Sequence, residues 1–260
     1  MTSAFADIDW QGRPVRIEHA LLGAGRADAP LLVFLHEGLG SLSMWRDFPQ
    51  QLADACGCEA IVYSRHGYGR SDPLTKKRTP AFMHHEARVC LPQLLDQLGL
   101  DRPILFGHSD GASIALIHAG GTSRPLTATV VMAPHVLVED ISIRSIRKAR
   151  DTYLSTDLKA RLAKYHADPD SAFWGWNDIW LDPAFRDWNI EDCLPGIVCP
   201  LLAIQGEDDE YGTMDQIERI ARRCRDVELV KLADCRHSPY KDQPRQVIAT
   251  VAEFVARILD

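Results

Sequence analysis

Ile104-Leu105-Phe106-Gly107-His108-Ser109-Asp110-Gly111-Ala112-Ser113 is the stretch that decides how this chain is read. It opens on a short, wholly apolar run with the character of a buried strand, and a helical-period segment, Ala112–Ala119, follows it. Between the two, Gly107, Ser109 and Gly111 spell a G-x-S-x-G turn in the strand–turn–helix setting that the motif requires. The glycines have a steric reason. A serine on so sharp a turn sits in a strained backbone conformation, and side chains two residues to either side would collide. The turn lifts the hydroxyl clear of the sheet and aims the first amides of the helix at whatever lies above. Ser109 is thereby a candidate nucleophile.

A serine hydroxyl needs a base near neutral pH, and the base needs an acid to orient it. Downstream, the strand-like run Leu201–Ile204 leads through Gln205 and Gly206 into Glu207-Asp208-Asp209-Glu210. The run Val227–Leu232 then leads into Ala233-Asp234-Cys235-Arg236-His237-Ser238-Pro239. An acid after one strand and a histidine after the next give the chain order Ser, acid, His. Of the ten histidines, His237 lies after the final strand and before the last helical segment, where a base reaches Ser109.

The rest of the chain alternates in the same way. Apolar runs at Leu31–Leu35, Ala60–Tyr63 and Ala128–Met132 join those above, and helical periods separate most of them at Phe48–Cys56, Ala81–Leu98, Met214–Cys224 and Arg245–Leu259. Runs apolar throughout suit strands covered on both faces, the mark of a parallel sheet under helices. Phe5–Trp10 and Val15–Leu21 flank Gln11-Gly12-Arg13-Pro14 and read as an antiparallel hairpin at the sheet edge. The rhythm breaks between His135 and Leu194. There the helical patterns are first basic and then aromatic, with Phe173, Trp174, Trp176, Trp180, Phe185 and Trp188 close together. A helical insertion over residues 136–194, interrupting a core of residues 1–135 and 195–260, is the simplest account.

With these marks in order, the chain resembles the α/β-hydrolase fold family, specifically its cap-bearing serine hydrolases. The marks are Leu35-His36-Glu37-Gly38-Leu39-Gly40, Ser64-Arg65-His66-Gly67-Tyr68-Gly69-Arg70-Ser71-Asp72, the turn at Ser109, Gly206-Glu207-Asp208-Asp209, and His237 with Asp242-Gln243-Pro244. The resemblance covers nearly the whole chain. It implies an α/β fold, a mostly parallel sheet with helices on both faces and a helical cap. It places the orienting acid three residues after Gly206, on Asp209, with Asp208 as the fallback. It implies an oxyanion hole made by the backbone N–H of Asp110 and a second N–H from the loop after Leu35: Gly38, or Leu39 if that loop is shifted by one. His36 and His108 become scaffold, the first bracing that loop and the second packing beside the turn. Glu37 departs from the family, which has Gly there; it either faces the pocket and meets a cationic substrate group, or points into solvent. His135 either lines the pocket or makes a structural hydrogen bond. Trp176 and Trp180 would close the cap over the substrate, or simply hold the cap to the core.

The resemblance implies hydrolysis of a small or medium-sized carboxylic ester, or a similarly activated acyl compound, through an acyl-enzyme. A C–C bond hydrolase acting on diketones and a proline-iminopeptidase-like enzyme share the same residues. A small-molecule receptor that keeps the triad shares the fold without the chemistry. Ser109 at the turn disfavours a dehalogenase, whose branch carries Asp there.

Composition narrows the partners. Lys and Arg number 29 against 36 Asp and Glu, a net charge of −7, with no basic block longer than Lys76-Lys77-Arg78. That argues against nucleic acid and leaves a small-molecule substrate, with the oligomeric state unreadable. No dinucleotide or Walker spacing surrounds Gly67-Tyr68-Gly69 or Gly38-Leu39-Gly40, and His84-His85-Glu86 are adjacent rather than spaced for a metal, so no cofactor or metal is expected. Met1–Trp10 lacks a basic start and an apolar stretch, no run is long enough for a membrane span, and seven cysteines cannot all pair. Cys56-Gly-Cys58 has no second ligand pair nearby. The expectation is a cytoplasmic protein with reduced thiols.

Overall fold

Eight strands form one sheet in the computed structural model, which describes residues 2–10, 12–25 and 29–259. They are β1 (Ala4–Asp9), β2 (Pro14–Leu22), β3 (Leu32–Leu35), β4 (Ala60–Tyr63), β5 (Ile104–His108), β6 (Ala128–Met132), β7 (Leu201–Gly206) and β8 (Val227–Leu232), in the order β1-β2-β4-β3-β5-β6-β7-β8. The β1–β2 hairpin is antiparallel and forms one edge, with Ala4 opposite His19; β2 pairs antiparallel with β4, and every other pairing is parallel. Gln11, in the expected hairpin turn, lies outside the described residues.

Strands β3 to β7 are buried at every position, which is why their sequences lack polar alternation. The period of two survives as a division between two cores. Leu32, Phe34, Phe106, Val130 and Leu202 face one apolar cluster; Val33, Leu35, Leu105, Val131 and Ala203 face the other.

The helices are α1 (Phe48–Cys56), α2 (Phe82–His85), α3 (Leu91–Gln97), α4 (Asp110–Gly121), α5 (Asp140–Ser155), α6 (Leu158–Leu162), α7 (Pro169–Trp180), α8 (Asp215–Arg223), α9 (Pro239–Asp242) and α10 (Pro244–Leu259). The continuous helix expected over Ala81–Leu98 is instead α2, a π-helical turn over Glu86–Cys90, and α3. Pro92 explains the interruption. Its ring collides with the carbonyl four residues back in a regular helix, and a wider turn, closed by Leu91 N–H to the Glu86 carbonyl, relieves it.

Between β6 and β7 the chain runs through α5, α6 and α7, with one isolated bridge pairing Leu137 and Asn189. Phe173, Phe185 and Trp188 are buried in the same cluster as Leu35 and Leu105, and Trp174 packs against that cluster half-buried, under the Arg150 guanidinium.

The turn at Ser109 is built as its glycines require. Ser109 has φ 52° and ψ −119°, its N–H donates to the Met132 carbonyl (2.9 Å), and its carbonyl accepts from Ser113 N–H (3.0 Å) as α4 begins. A Cβ on Gly107 would lie 2.5 Å from the Gly111 carbonyl oxygen, and one on Gly111 only 2.1 Å from the Leu35 carbonyl oxygen. No flexible side chain is there to yield. Gly111→Ala is therefore expected to destabilise by about 1–3 kcal/mol, lowering Tm by about 2–4 °C per kcal/mol in a chain of this size. A thermal melt checks it, and an unchanged Tm would mean that α4 shifts away from β3 at no cost.

Candidate active site

The C-terminal ends of the parallel strands converge on one pocket, as expected for an open α/β sheet. Ser109 follows β5, His135 lies just beyond β6, Asp209 follows β7 and His237 follows β8. The cavity they share measures about 260 Å³ and is lined by Glu37, Gly38, Leu39, His108, Ser109, Asp110, His135, Ile146, Trp176, Trp180, Glu210, Tyr211, His237 and Ser238. The candidate catalytic, oxyanion and substrate-contacting residues are all there except Asp209, which stands one layer back; Asp208 does not belong, and His36 lies behind the wall.

Asp209, His237 and Ser109 form an unbroken relay. His237 Nδ1 lies 2.8 Å from Asp209 Oδ1, and His237 Nε2 lies 3.0 Å from Ser109 Oγ. Asp209 is buried and its carboxylate is held by protein donors: Oδ1 accepts from Tyr211 N–H (2.8 Å) and Gly212 N–H (3.2 Å), and Oδ2 from the Gln205 side-chain amide (3.2 Å). A carboxylate so surrounded can only accept, so Nδ1 of His237 carries the proton and Nε2 presents its lone pair to the hydroxyl. Asp208 is exposed, and its contribution is a backbone N–H to the Cys235 carbonyl (2.9 Å).

The charges follow from this packing. Burial raises the Asp209 carboxyl, but the facing His237 imidazole and the Tyr211 N–H overcome it and hold the group below the usual carboxylate range. Burial lowers the His237 imidazole, and the Asp209 carboxylate, helped by Glu210 and Glu37, raises it above the usual value. The His237 loop is pinned at both of its peptide groups. Its N–H donates to Glu210 Oε2 (3.2 Å), and its carbonyl accepts from His108 Nε2 (2.7 Å). Asp242 Oδ2 accepts from Arg236 N–H (2.9 Å), and Gln243 Nε2 donates to the Ala233 carbonyl (2.7 Å), so the Asp-Gln-Pro mark holds this loop.

On the opposite wall, His36 is fully buried. Its Nδ1 donates to the Glu37 carbonyl (2.7 Å) and its Nε2 accepts from Arg65 N–H (3.0 Å), while Arg65 Nη2 donates to the carbonyls of His36 and Glu37. Burial and the Arg65 charge keep the His36 imidazole well below its usual pKa, so it stays neutral as this pattern requires. The loop it braces carries Gly38 and Leu39. Among the described residues, no backbone hydrogen bond uses the N–H of Gly38, Leu39 or Asp110. The Trp176 indole lies on Gly38, where an added Cβ would be 2.2 Å from its Nε1.

The remaining residues depart from the sequence reading in informative ways. Glu37 is not solvated: its carboxylate lies in the pocket wall beside His108, Tyr240 and Lys241. His135 makes its structural hydrogen bonds through its backbone, to and from Ser113 Oγ (3.2 and 2.7 Å). Its ring lies between Trp180 and His237 at centroid distances of 5.0 and 5.8 Å, with Nδ1 unpartnered, and burial depresses its pKa to about 3. Trp180 Nε1 donates to Asp110 Oδ1 (3.1 Å). The sequence did not point to that bond, nor to Ile146, Glu210, Tyr211 and Ser238 as lining residues; Glu210, Tyr211 and Ser238 carried a local signal, being in or beside the acidic and His237 loops, and Ile146 carried none. Among the described residues no group of three or more His, Cys, Asp or Glu is placed to hold a metal ion, and no helix is long and apolar enough to cross a membrane.

Fold and site together define an α/β hydrolase, and comparison with known proteins agrees. The sequence model of the alpha/beta hydrolase family matches residues 32–250, and the chain belongs to that family. It is 22% identical to an sn-1-specific diacylglycerol lipase, ABHD11, of Danio rerio, over 89% of this chain and 80% of the lipase. It is 23% identical to a 2-hydroxy-6-oxononadienedioate/2-hydroxy-6-oxononatrienedioate hydrolase of Burkholderia vietnamiensis, over 98% of this chain and 96% of that protein. A thermophilic esterase from Thermogutta terrifontis superposes with a TM-score of 0.74 at 19% identity, over 99% of both chains, and so shares the fold.

The acid can be tested directly. Asp209→Asn should mis-set the His237 tautomer and reduce turnover by about 10⁴, whereas Asp208→Asn should leave it within about twofold, as for an exposed side chain outside the relay. The pH profile gives a second reading. His237 must be neutral to act as a base, so activity rises with pH through its raised pKa, and the acidic limb lies above the ordinary imidazole value. In Asp209→Asn that limb should move to lower pH. Equal losses in the two variants would place the acid elsewhere.

Proposed function

We propose that this protein is a serine hydrolase acting on a small or medium-sized carboxylic ester, or a similarly activated acyl compound, through an acyl-enzyme. The observation that carries this is the Asp209–His237–Ser109 relay opening into a cavity of about 260 Å³, just under the usual range of about 300–1,000 Å³ for ligand pockets. Ser109 Oγ attacks the carbonyl carbon while His237 Nε2 takes its proton. The oxyanion is met by the N–H groups of Asp110 and Gly38, with Leu39 as the alternative to Gly38. His237 then protonates the leaving alcohol, and a water attacks the acyl-enzyme by the same route. Asp209 stabilises the imidazolium in each half.

Residues 136–194 act in this reading as a helical cap on a core of residues 1–135 and 195–260, with Trp176 and Trp180 closing the pocket and His135 offering a neutral imidazole to a polar atom of the substrate. The lipase and the C–C bond hydrolase among the relatives are each below 25% identity and do not choose between those bonds. A proline iminopeptidase of Lactobacillus delbrueckii subsp. lactis is 33% identical, but only over 38% of this chain and 33% of its own. Glu37, the candidate for a substrate ammonium, already faces Lys241 Nζ at 3.6 Å and His108 Nδ1 at 3.4 Å, which weighs against an amine substrate.

Labelling with a fluorophosphonate and peptide mapping test the reading: the wild type should be modified at Ser109, and Ser109→Ala should lose labelling and about 10⁴–10⁶ in turnover. An unlabelled wild type would favour a non-catalytic receptor. A screen of p-nitrophenyl esters, diketones and amino-acid arylamides then assigns the bond. Trp176→Ala should change the preference between two esters differing in acyl length, because its ring covers Gly38. A constant ratio with a lowered Tm would make Trp176 packing only.

A further inference from the structure

The Glu37–His108 pair touches all three loops of the proposed site. Glu37 precedes Gly38 on the loop after β3, and its Oε2 lies 3.4 Å from Nδ1 of His108, which precedes Ser109 at the end of β5. His108 is fully buried, and its Nε2 is 2.7 Å from the carbonyl oxygen of His237. A carbonyl oxygen only accepts, so Nε2 carries a proton and donates it. The other ring nitrogen faces the Glu37 carboxylate at 3.4 Å and has no hydrogen-bond partner among the described residues. Tyr240 O–H donates to Glu37 Oε1 (3.4 Å), and Lys241 Nζ stands 3.6 Å from the same oxygen; both belong to α9, just after His237. The fit requires a small neighbour as well, since a Cβ on Gly40 would lie 2.5 Å from Glu37 Oε2.

We propose that Glu37 and His108 are positioning residues that together form a crossbar: Glu37 ties the Gly38 loop to α9 through Tyr240 and Lys241, His108 ties the Ser109 turn to the His237 loop through its Nε2–H, and the Glu37 carboxylate adds a second negative charge behind the imidazolium formed on His237. The inference rests on the hydrolase reading of the same pocket. It gives a reason for a glutamate where the family has glycine, and it assigns that glutamate to the protein's own histidines rather than to a substrate cation. Burial opposes the charge on Glu37, but the neighbouring His108 and the Lys241 ammonium hold its carboxyl well below the usual range, so it stays ionised. Around His237 the facing titratable groups are Asp209, Glu210 and Tyr211 from the loop after β7, His135 from beyond β6, His108 from β5, and Glu37. Asp209 has the largest favourable effect, and Glu37 acts in the same direction.

The test follows fluorophosphonate labelling of the full-length protein against pH, p-nitrophenyl acetate turnover, and the NMR titration of the His237 ring in wild type, Glu37→Gln, Glu37→Asp, His108→Gln and the Glu37→Gln/His108→Gln double variant. Glu37→Gln keeps the shape and removes the charge. Labelling and kcat should fall about tenfold with KM nearly constant, within the coupling that contacting residues show. The acidic limb and the His237 titration should both move to lower pH, because a charge favouring the imidazolium is gone. Glu37→Asp should move both in the same direction but less, and the double variant should be no worse than the poorer single. Wild-type rates and an unmoved His237 titration in both Glu37→Gln and Glu37→Asp would overturn the crossbar. So would a loss confined to KM for amine-bearing substrates, which would make Glu37 a cation site. A wild type that fails to label would sink the hydrolase reading instead, and the His237 titration would still decide the contact.

Discussion

The backbone at Ser109 is the constraint on which the rest depends. A non-glycine residue at φ 52° and ψ −119° lies outside the favoured regions, and conformations of this kind cost on the order of 1–3 kcal/mol. That strain persists because both sides of the turn are fixed. The Ser109 N–H is tied to β6 at Met132, the Ser109 carbonyl starts the hydrogen-bond ladder of α4, and Gly111 lies against the Leu35 carbonyl of β3. Two buried strands, β3 and β6, and the helix α4 therefore hold one residue in a conformation it would not choose. The result is a hydroxyl raised above the strand ends and an Asp110 N–H at the start of a 12-residue helix, where the backbone partial charge is positive.

The polar groups around that hydroxyl are expensive to bury, and their arrangement shows how each cost is met. Asp209 is surrounded by N–H donors, His36 is kept neutral between a carbonyl and an N–H, and His237 is bonded at both ring nitrogens and both backbone groups. Asp110 is less fully compensated. Burial raises its carboxyl, and the charges of Arg65 and Arg78, with the Trp180 indole, offset only part of that. The carboxylates of Asp209, Glu210 and Glu37 act on His237, where a developing imidazolium would gain from them in the proposed reaction, while the N–H groups of Gly38 and Asp110 make no backbone hydrogen bond among the described residues. A field divided in this way suits a reaction that creates a cation on one side and an oxyanion on the other.

The central strands were legible because β3 to β7 are buried on both faces and carry few polar residues to confuse the pattern. Ala60–Tyr63, Ala128–Met132 and Val227–Leu232 have the bounds their composition implies. The helix over residues 81–98 was misread in its interior, since periodicity does not register the π turn that Pro92 demands. At the site, the chain order of turn, acidic loop and final histidine indicated which side chains share the strand ends. It could not say where Glu37 points, because that depends on His108, Tyr240 and Lys241, which come from other parts of the chain. Trp180 was legible as an apolar residue of the insertion. Its bond to Asp110 was not, since an indole N–H finds its acceptor only in three dimensions.

That bond changes what the helices between β6 and β7 can do. A lid that only covers a pocket affects which substrates enter and how tightly they bind, and leaves the reacting groups alone. Here Trp180 reaches the side chain of the residue whose N–H stands next to Ser109, and Trp176 lies on the Gly38 backbone across the pocket. Both residues proposed to supply the oxyanion donors are therefore in contact with α7, Gly38 at its backbone and Asp110 through its side chain. Displacing α7 would release a buried carboxylate from its indole donor and uncover Gly38 at once. The cost would be felt in the geometry of those two peptides as much as in the pocket's volume. In the proposed hydrolase, closure over the substrate and alignment of the oxyanion donors would be one event, carried by two tryptophans four residues apart on a single helix.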